Sequence, residues 1–377
     1  MSQCRGVAQA QAGAPRAGWA FEDDMRHGWR LASLATWWLW AAVAIAHPLG
    51  DPPGRLVDLG GRTMHLYCIG RGAPTVVIDT GLGATSLEWE AVMHRIGGPS
   101  RVCVYDRAGY GWSEMGPYPR TSSQNANDLY LLLTNAGEEG PFVLVGHSYG
   151  GYTMQLFARR YPFLTAGLVL IDAAHPEQVE RFLAPPYRMR IAPSSGIGLV
   201  RFGEAPKPHP AMPRLARELT YFQYRNWRAR RTLSYELLGW RESEAALRAE
   251  PPLHEMPLVV LTRGRRVWPA GAHGDALEQL WMDLQSELAA QSPISAHLLA
   301  RASGHQIHLD QPDLVAFAIA LAADAWRLRQ GGGPALTDAS AHWLSQLDMQ
   351  SFSWLRDSLD VPLPLRVVQF DARASAP

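Results

Sequence analysis

Ser148 sits in the pentapeptide Gly146-His147-Ser148-Tyr149-Gly150, a spacing that suits a serine to nucleophilic attack. The apolar run at residues 141–145 reads as a buried strand, and GYTMQLFARRYP after the pentapeptide reads as a helix. A serine on so sharp a strand-to-helix turn is held in a strained backbone conformation. Side chains two residues to either side would collide there. Gly146 and Gly150 remove them, so Ser148 can project its hydroxyl above a sheet at a helix N-terminus. Gly151 adds a third position without a side chain. The chemistry this permits is acyl transfer through a covalent intermediate.

A serine hydroxyl is a poor nucleophile until a histidine takes its proton and a carboxylate holds that histidine. The chain has 13 histidines, so position must select among them. His305 follows Ser303 and Gly304 on a loop between the apolar stretch ISAHLLA and a helix carrying Leu314, Val315, Ala318, Ile319 and Leu321. That placement, after the nucleophile in chain order and at a strand end, suits a general base. His308 is the rival, three residues on, where packing or capping is the plainer role. For the acid two residues compete. Asp172 ends the strand-like AGLVLID and has a short tether to the rim where the strands of a parallel sheet end. Asp275 lies eleven residues past Gly264, which closes the next strand MPLVVLTRG, and could equally cap the helix ALEQLWMDLQ. Asp172 is preferred and Asp275 stays open as the alternative acid.

The oxyanion of an acyl-transfer transition state needs two backbone N–H donors already aimed at it. Tyr149, the residue after the nucleophile, is one. The loop GLGATSLEW after TVVIDT supplies the other, at Leu82 between Gly81 and Gly83.

These groups require a scaffold that delivers them to one edge. RLVDLG and TMHLYCIG, separated by Gly60-Gly61, read as an antiparallel hairpin. TVVIDT, RVCVYD, FVLVG and GLVLID then alternate with helices near residues 86–95, 122–135 and 149–161. PLVVLTRG, a helix over 276–289, ISAHLLA and a helix over 312–329 follow. The expected fold is α/β: an eight-stranded, mostly parallel sheet covered by helices on both faces, with an inserted helical cap. The core takes residues 54–172 and 257–330, and the cap takes 173–256. Tyr221, Tyr224 and Trp227, at helical spacing in that insertion, are expected in its core. Arg225, Arg228, Arg230 and Arg231 are expected on a solvated face.

Taken together, DRAGYGWS (residues 106–113), VLVGHSYGG, LVLIDAAHPE and SGHQIHLDQP resemble the α/β-hydrolase superfamily, and within it a bacterial branch of serine hydrolases. The likeness runs from about Gly54 to Gln330. It implies a carboxylic-ester hydrolase acting through Ser148, His305 and Asp172. Acyl transfer, thioesterase or amidase activity with the same triad, and a catalytically degenerate binding protein, are the alternatives. Haloalkane dehalogenases of the superfamily include members with the acid after strand six, where Asp172 falls. Those enzymes use an aspartate nucleophile, and Ser148 departs from them. Asp106 is read as a structural residue that closes its turn. The superfamily's strand order makes strands two and four neighbours, which implies proximity of Cys68 and Cys103. A disulfide and two buried free thiols both fit that implication.

Composition narrows the partners. Lys+Arg and Asp+Glu both total 35 in 377 residues, so no global basic surface points to nucleic acid. No cofactor fingerprint and no metal-ligand spacing is present; the expected partner is a small-molecule ester or other acyl compound. Residues 1–24 read as a disordered leader or as sequence upstream of a true start at Met25. Residues 25–46 combine MRHGWR with a 16-residue apolar run ending Ala44-Ile45-Ala46, the pattern of a signal peptide. Trp37, Trp38 and Trp40 inside that run favour an anchor or an interfacial helix instead. Either version implies export, to the periplasm or to a membrane surface; a soluble packing helix is the remaining reading of the segment. Residues 331–377 form a tail of unread role with one amphipathic stretch.

Overall fold

The computed structural model describes residues 50–96, 100–189, 207–331 and, as a strand, 367–370. The leader, the signal-like segment and the amphipathic stretch of the tail lie outside these residues. Among the described residues no helix is long and apolar enough to cross a membrane.

The eight expected strands are β1 (Arg55–Asp58), β2 (Thr63–Ile69), β3 (Thr75–Asp79), β4 (Val102–Tyr105), β5 (Phe142–His147), β6 (Thr165–Ile171), β7 (Leu258–Arg263) and β8 (Ser295–Ala300). A ninth, β9 (Val367–Phe370), comes from the tail and adds parallel to β8. The sheet order is β1-β2-β4-β3-β5-β6-β7-β8-β9. β1 and β2 pair antiparallel, as do β2 and β4; every other pair is parallel.

The central strands are apolar at every position because both faces are covered, and successive side chains serve different cores. Phe142 and Leu144 of β5, with Leu168 and Leu170 of β6, join one cluster with Leu129, Leu132, Leu156 and Phe157 from the helices Ser122–Ala136 and Gly150–Arg160. Val143, Val145, Val169 and Ile171 point the other way, into a cluster with Val92, Met93, Val315 and Phe317 from the helices Glu90–Ile96 and Pro312–Arg329. A one-residue slip of β5 or β6 would exchange these faces, so the register is fixed by packing on both sides.

Between β6 and β7 the alternation stops and the helices Gln178–Leu183, Arg214–Arg225, Trp227–Leu238 and Trp240–Ala249 follow. This insertion is not a separate globule, since Trp240 and Leu247 belong to the first core cluster. Tyr221, Tyr224 and Trp227 are exposed, by 46%, 38% and 61%, which overturns their expected core role. The buried faces of those two helices carry Ala216, Leu219, Gln223, Ala229, Thr232 and Glu236 instead. Arg225, Arg228, Arg230 and Arg231 are all exposed.

β2 and β4 place Cys68 directly opposite Cys103, with their Cα atoms 4.1 Å apart, and the two form a disulfide. Asp106 closes its turn: it accepts from the backbone N–H groups of Ser86 (2.8 Å) and Trp112 (3.3 Å) and lies 2.7 Å from His65 Nδ1.

Candidate active site

β5 ends in the turn that carries Ser148, whose φ of 52° lies in the left-handed region. The glycines around it are required by backbone, not by flexible side chains. A Cβ on Gly146 would lie 2.8 Å from the Gly150 carbonyl oxygen and the Gly151 Cα. One on Gly150 would lie 2.6 Å from the carbonyl oxygens of Asp79 and Thr80. One on Gly151 would lie 2.6 Å from Ala173 Cβ. The helix Gly150–Arg160 therefore packs directly against the ends of β3 and β6, which lifts Ser148 to the rim.

Asp172 follows β6 and is wholly buried, with φ 41°. His305 Nδ1 lies 2.6 Å from Asp172 Oδ2. Burial alone would raise the Asp172 pKa. The Arg263 guanidinium, 3.2 Å from Oδ2, and hydrogen bonds from His305 and from Trp281 Nε1 (2.7 Å to Oδ1) outweigh it and hold the carboxyl well below its ordinary range. An ionised carboxylate only accepts, so the Nδ1 of His305 carries the proton and its Nε2 is left with a free lone pair. Asp275 sits elsewhere: it lies in the first turn of the helix Ala272–Ala289 and is not its N-cap, which is Gly271. It is 57% exposed and paired with Arg266.

His147, the variable residue of the elbow, donates from Nε2 to the His305 carbonyl at 2.9 Å. Its ring centroid lies 4.8 Å from that of His305 and 4.7 Å from that of His308. Burial, with His308 and His305 adding to it, drives the His147 pKa well below the imidazole value, so this ring is neutral. His308 stacks on Trp89 at 4.4 Å, and burial lowers its pKa to about 3. His308 thus packs behind the loop, with Nε2 3.7 Å from Glu88, and among the described residues it is His305 and not His308 that bonds Asp172.

On the other side of Ser148 runs the loop after β3. A Cβ on Gly81 would lie 3.5 Å from Ser148 Cβ and 2.9 Å from His147 Nδ1, so only glycine lets the loop approach the elbow. Gly83 has φ +72°. Among the described residues neither the Leu82 N–H nor the Tyr149 N–H has a hydrogen-bond partner. Two donors left unpaired beside Ser148 are what an anionic oxygen requires.

Several groups of the site carry no mark in the sequence. Arg263 and Trp281 surround Asp172, and Arg263 is visible as the last residue of a strand that lacks an acid at its end. His147 occupies a variable position of the pentapeptide, so its type alone does not announce its bond to the His305 carbonyl. Among the described residues two groups of His, Cys, Asp and Glu come within ligating distance of each other. Cys68 and Cys103 of the first are already bridged, and in the second Glu287 is already bound to Arg181 at 2.6 Å.

Residues 76–319 match the alpha/beta hydrolase family. The chain belongs to that family, and as a class it is a hydrolase. It is 29% identical over 257 residues to the uncharacterized protein YqjL of Bacillus subtilis, a match covering 68% of this chain and 85% of that protein. Among solved structures it is similar to Cfl2 from Burkholderia cenocepacia, with TM-score 0.52 and 20% identity over 72% of this chain and 96% of that one. It is also similar to a haloalkane dehalogenase loop variant from Bradyrhizobium elkanii, with TM-score 0.54 and 16% identity over 74% of this chain and 98% of the other. At these identities the structural likeness defines the fold alone.

Proposed function

We propose that the protein is a serine hydrolase that cleaves a carboxylic ester through Ser148, His305 and Asp172. The observation that carries the reading is the 2.6 Å bond from His305 Nδ1 to Asp172, on a loop tied by His147 to the elbow that strains Ser148. In the forward step Ser148 Oγ bonds to the ester carbon while its proton passes to His305 Nε2. The carbonyl oxygen takes up the negative charge and accepts from the N–H groups of Leu82 and Tyr149. Collapse breaks the ester C–O bond, and the leaving alkoxide receives the proton from His305. Water then repeats the sequence on the acyl-enzyme, giving the carboxylic acid and free Ser148. Asp172 stays ionised throughout and stabilises the imidazolium form of His305.

Ser148, in place of an aspartate, supports ester chemistry over carbon–halogen chemistry. The insertion between β6 and β7 serves in this reading as the cap of the site. The Cys68–Cys103 bridge supports export to an oxidising compartment, consistent with the signal-like segment at residues 25–46. The test is a fluorophosphonate probe followed by a chain-length panel of p-nitrophenyl esters. Labelling and hydrolysis that both vanish in Ser148→Ala are expected. Folded wild-type protein that neither labels nor hydrolyses any member would overturn the reading.

A further inference from the structure

Arg107 is a buried guanidinium in the motif DRAGYGWS, and its donors are divided in an unusual way. Nη1 donates to the Thr80 carbonyl at 2.6 Å and to Asp79 Oδ1 at 2.8 Å. Nη2 donates to the Gly81 carbonyl at 2.9 Å. Nε donates to Glu236 Oε1 at 2.9 Å. One planar fork thus holds two consecutive carbonyls of the loop after β3. In a trans peptide the C=O and the following N–H point in opposite directions. Fixing the Gly81 carbonyl on Arg107 therefore aims the Leu82 N–H away from Arg107. That N–H has no partner among the described residues, and Ser148 lies against Gly81.

The other anchors come from the inserted helices. Glu236, wholly buried on the helix Trp227–Leu238, binds Arg107 and also accepts from Tyr110 Oη (2.8 Å) and Asn125 Nδ2 (3.2 Å). Gln223, buried on the helix Arg214–Arg225, donates to the Gly83 carbonyl at 3.2 Å and accepts from the Gly111 N–H at 2.9 Å. Leu233 Cδ1 would lie 3.9 Å from a Cβ on Gly83. Three carbonyls flanking Leu82, those of Thr80, Gly81 and Gly83, are thus held by Arg107 and Gln223, and the cap supplies Gln223 and the carboxylate that steadies Arg107.

We propose that Arg107 is a positioning residue for the oxyanion hole, and that the cap, through Glu236 and Gln223, is a fixed part of that hole. The inference rests on the ester-hydrolase reading. A lysine at position 107 keeps the charge but cannot hold two carbonyls in one plane. Losing a single oxyanion donor typically costs about 10²–10³ in kcat. A donor that is misaimed but still present should cost less, so Arg107→Lys is expected to lower kcat on the order of 10–100-fold with KM within about threefold. Gln223→Met, which leaves the Arg107–Glu236 pair intact, should lower kcat by about tenfold.

The discriminating readout is a trifluoromethyl ketone, which forms a tetrahedral adduct with serine. Its affinity should fall in each variant by the same factor as kcat/KM, which a general loosening of the fold would not produce. Urea unfolding identifies the variants that remain folded, and Gln223→Met decides the question if Arg107→Lys does not fold. Folded variants with wild-type kcat and wild-type ketone affinity would overturn the inference while the hydrolase reading stands. A wild-type protein without any hydrolysis, tested alongside Ser148→Ala, would remove the reading itself and the inference with it.

Discussion

Replacing Asp172 by asparagine changes one atom, and the contacts of the carboxylate fix which one. Three donors converge on Oδ1: Trp281 Nε1 at 2.7 Å, and the Arg263 backbone N–H and Nη1 at 3.3 Å each. The asparagine oxygen must take that side, which turns the amide NH2 toward the former Oδ2 position. There it faces His305 Nδ1, now 2.6 Å from Oδ2, and Arg263 Nη1 at 3.2 Å. Nδ1 can then only accept, so the His305 proton moves to Nε2 and the imidazole can no longer take a proton from Ser148. The loss of a usable tautomer is worth about 10⁴ in kcat in the serine-protease precedent, or about 5 kcal/mol of transition-state stabilisation. Stability falls less, because Arg263 keeps Glu278 at 3.0 Å as a partner; we expect about 1–3 kcal/mol, below the figure for a wholly unpaired buried charge. Steady-state hydrolysis of a p-nitrophenyl ester, paired with urea unfolding, measures both. Asp275→Asn is the contrast: its exposed pair with Arg266 should contribute under about 1 kcal/mol, and kcat should be unchanged. Asp172→Asn protein that is folded and within tenfold of wild-type kcat would refute this assignment, as would a hundredfold loss in Asp275→Asn.

Gly150→Ala is expected to cost about 2 kcal/mol or more and most of the activity. Its Cβ would meet two backbone carbonyl oxygens at 2.6 Å, neither of which can rotate away; a wild-type urea midpoint would contradict this. Stability should fall below pH 6.5. Burial lowers His308 to about 3 and His175 and His297 to about 4, so these groups bind protons in the unfolded chain first. Glu88 works in the opposite sense, since burial raises it to about 7 and its proton is held more tightly in the folded state between about pH 7 and 4.5. Glu88→Gln should therefore steepen the loss by up to about 1.4 kcal/mol per pH unit in that window, and parallel stability curves would exclude the effect. Reduction of the Cys68–Cys103 bridge, which closes a span of 35 residues, should cost about 3–4 kcal/mol. Alkylation without reduction should leave both cysteines unmodified by mass spectrometry, and two modified thiols would show that the bridge is not formed.

The elbow was legible because its information is local: a β-branched run, three glycines and a helix stand within twenty residues. Asp172 was legible for a related reason, since a residue at the end of a buried strand must reach the rim of the sheet. What surrounds Asp172 was not. Arg263 and Trp281 come from positions 91 and 109 residues further along the chain, and no spacing rule connects them to it. The exposed Tyr221, Tyr224 and Trp227 misled for another reason. Helical spacing establishes that residues share a face, but here the buried face is carried by alanine, leucine, glutamine and glutamate. Gln223 and Glu236 are buried because Gly83, Gly111, Arg107 and Tyr110 meet them, and those partners lie more than a hundred residues earlier. β9 escaped notice because four residues beyond a long tail carry too little pattern to mark a strand.

Ser148 and Asp172 are both non-glycine residues with positive φ, at the ends of adjacent strands. Such positions cost about 1–3 kcal/mol each and persist only where the surroundings over-determine them. Here the two turns determine each other. The Ser148 N–H donates to the Ile171 carbonyl at 3.1 Å, and the Ala174 N–H donates back to the Ser148 carbonyl at 2.9 Å. The Asp172 N–H is held by the Leu261 carbonyl at 2.7 Å, which ties the pair to β7 and hence to Arg263. Ala173 closes the arrangement by filling the space that the missing Gly151 side chain leaves. The backbone that strains Ser148 is therefore the backbone that carries Asp172. A larger side chain at Ala173 cannot displace one without the other, so its effect on kcat should be close to that of losing both. Combining it with Asp172→Asn should add little, because residues that act as one unit fail together.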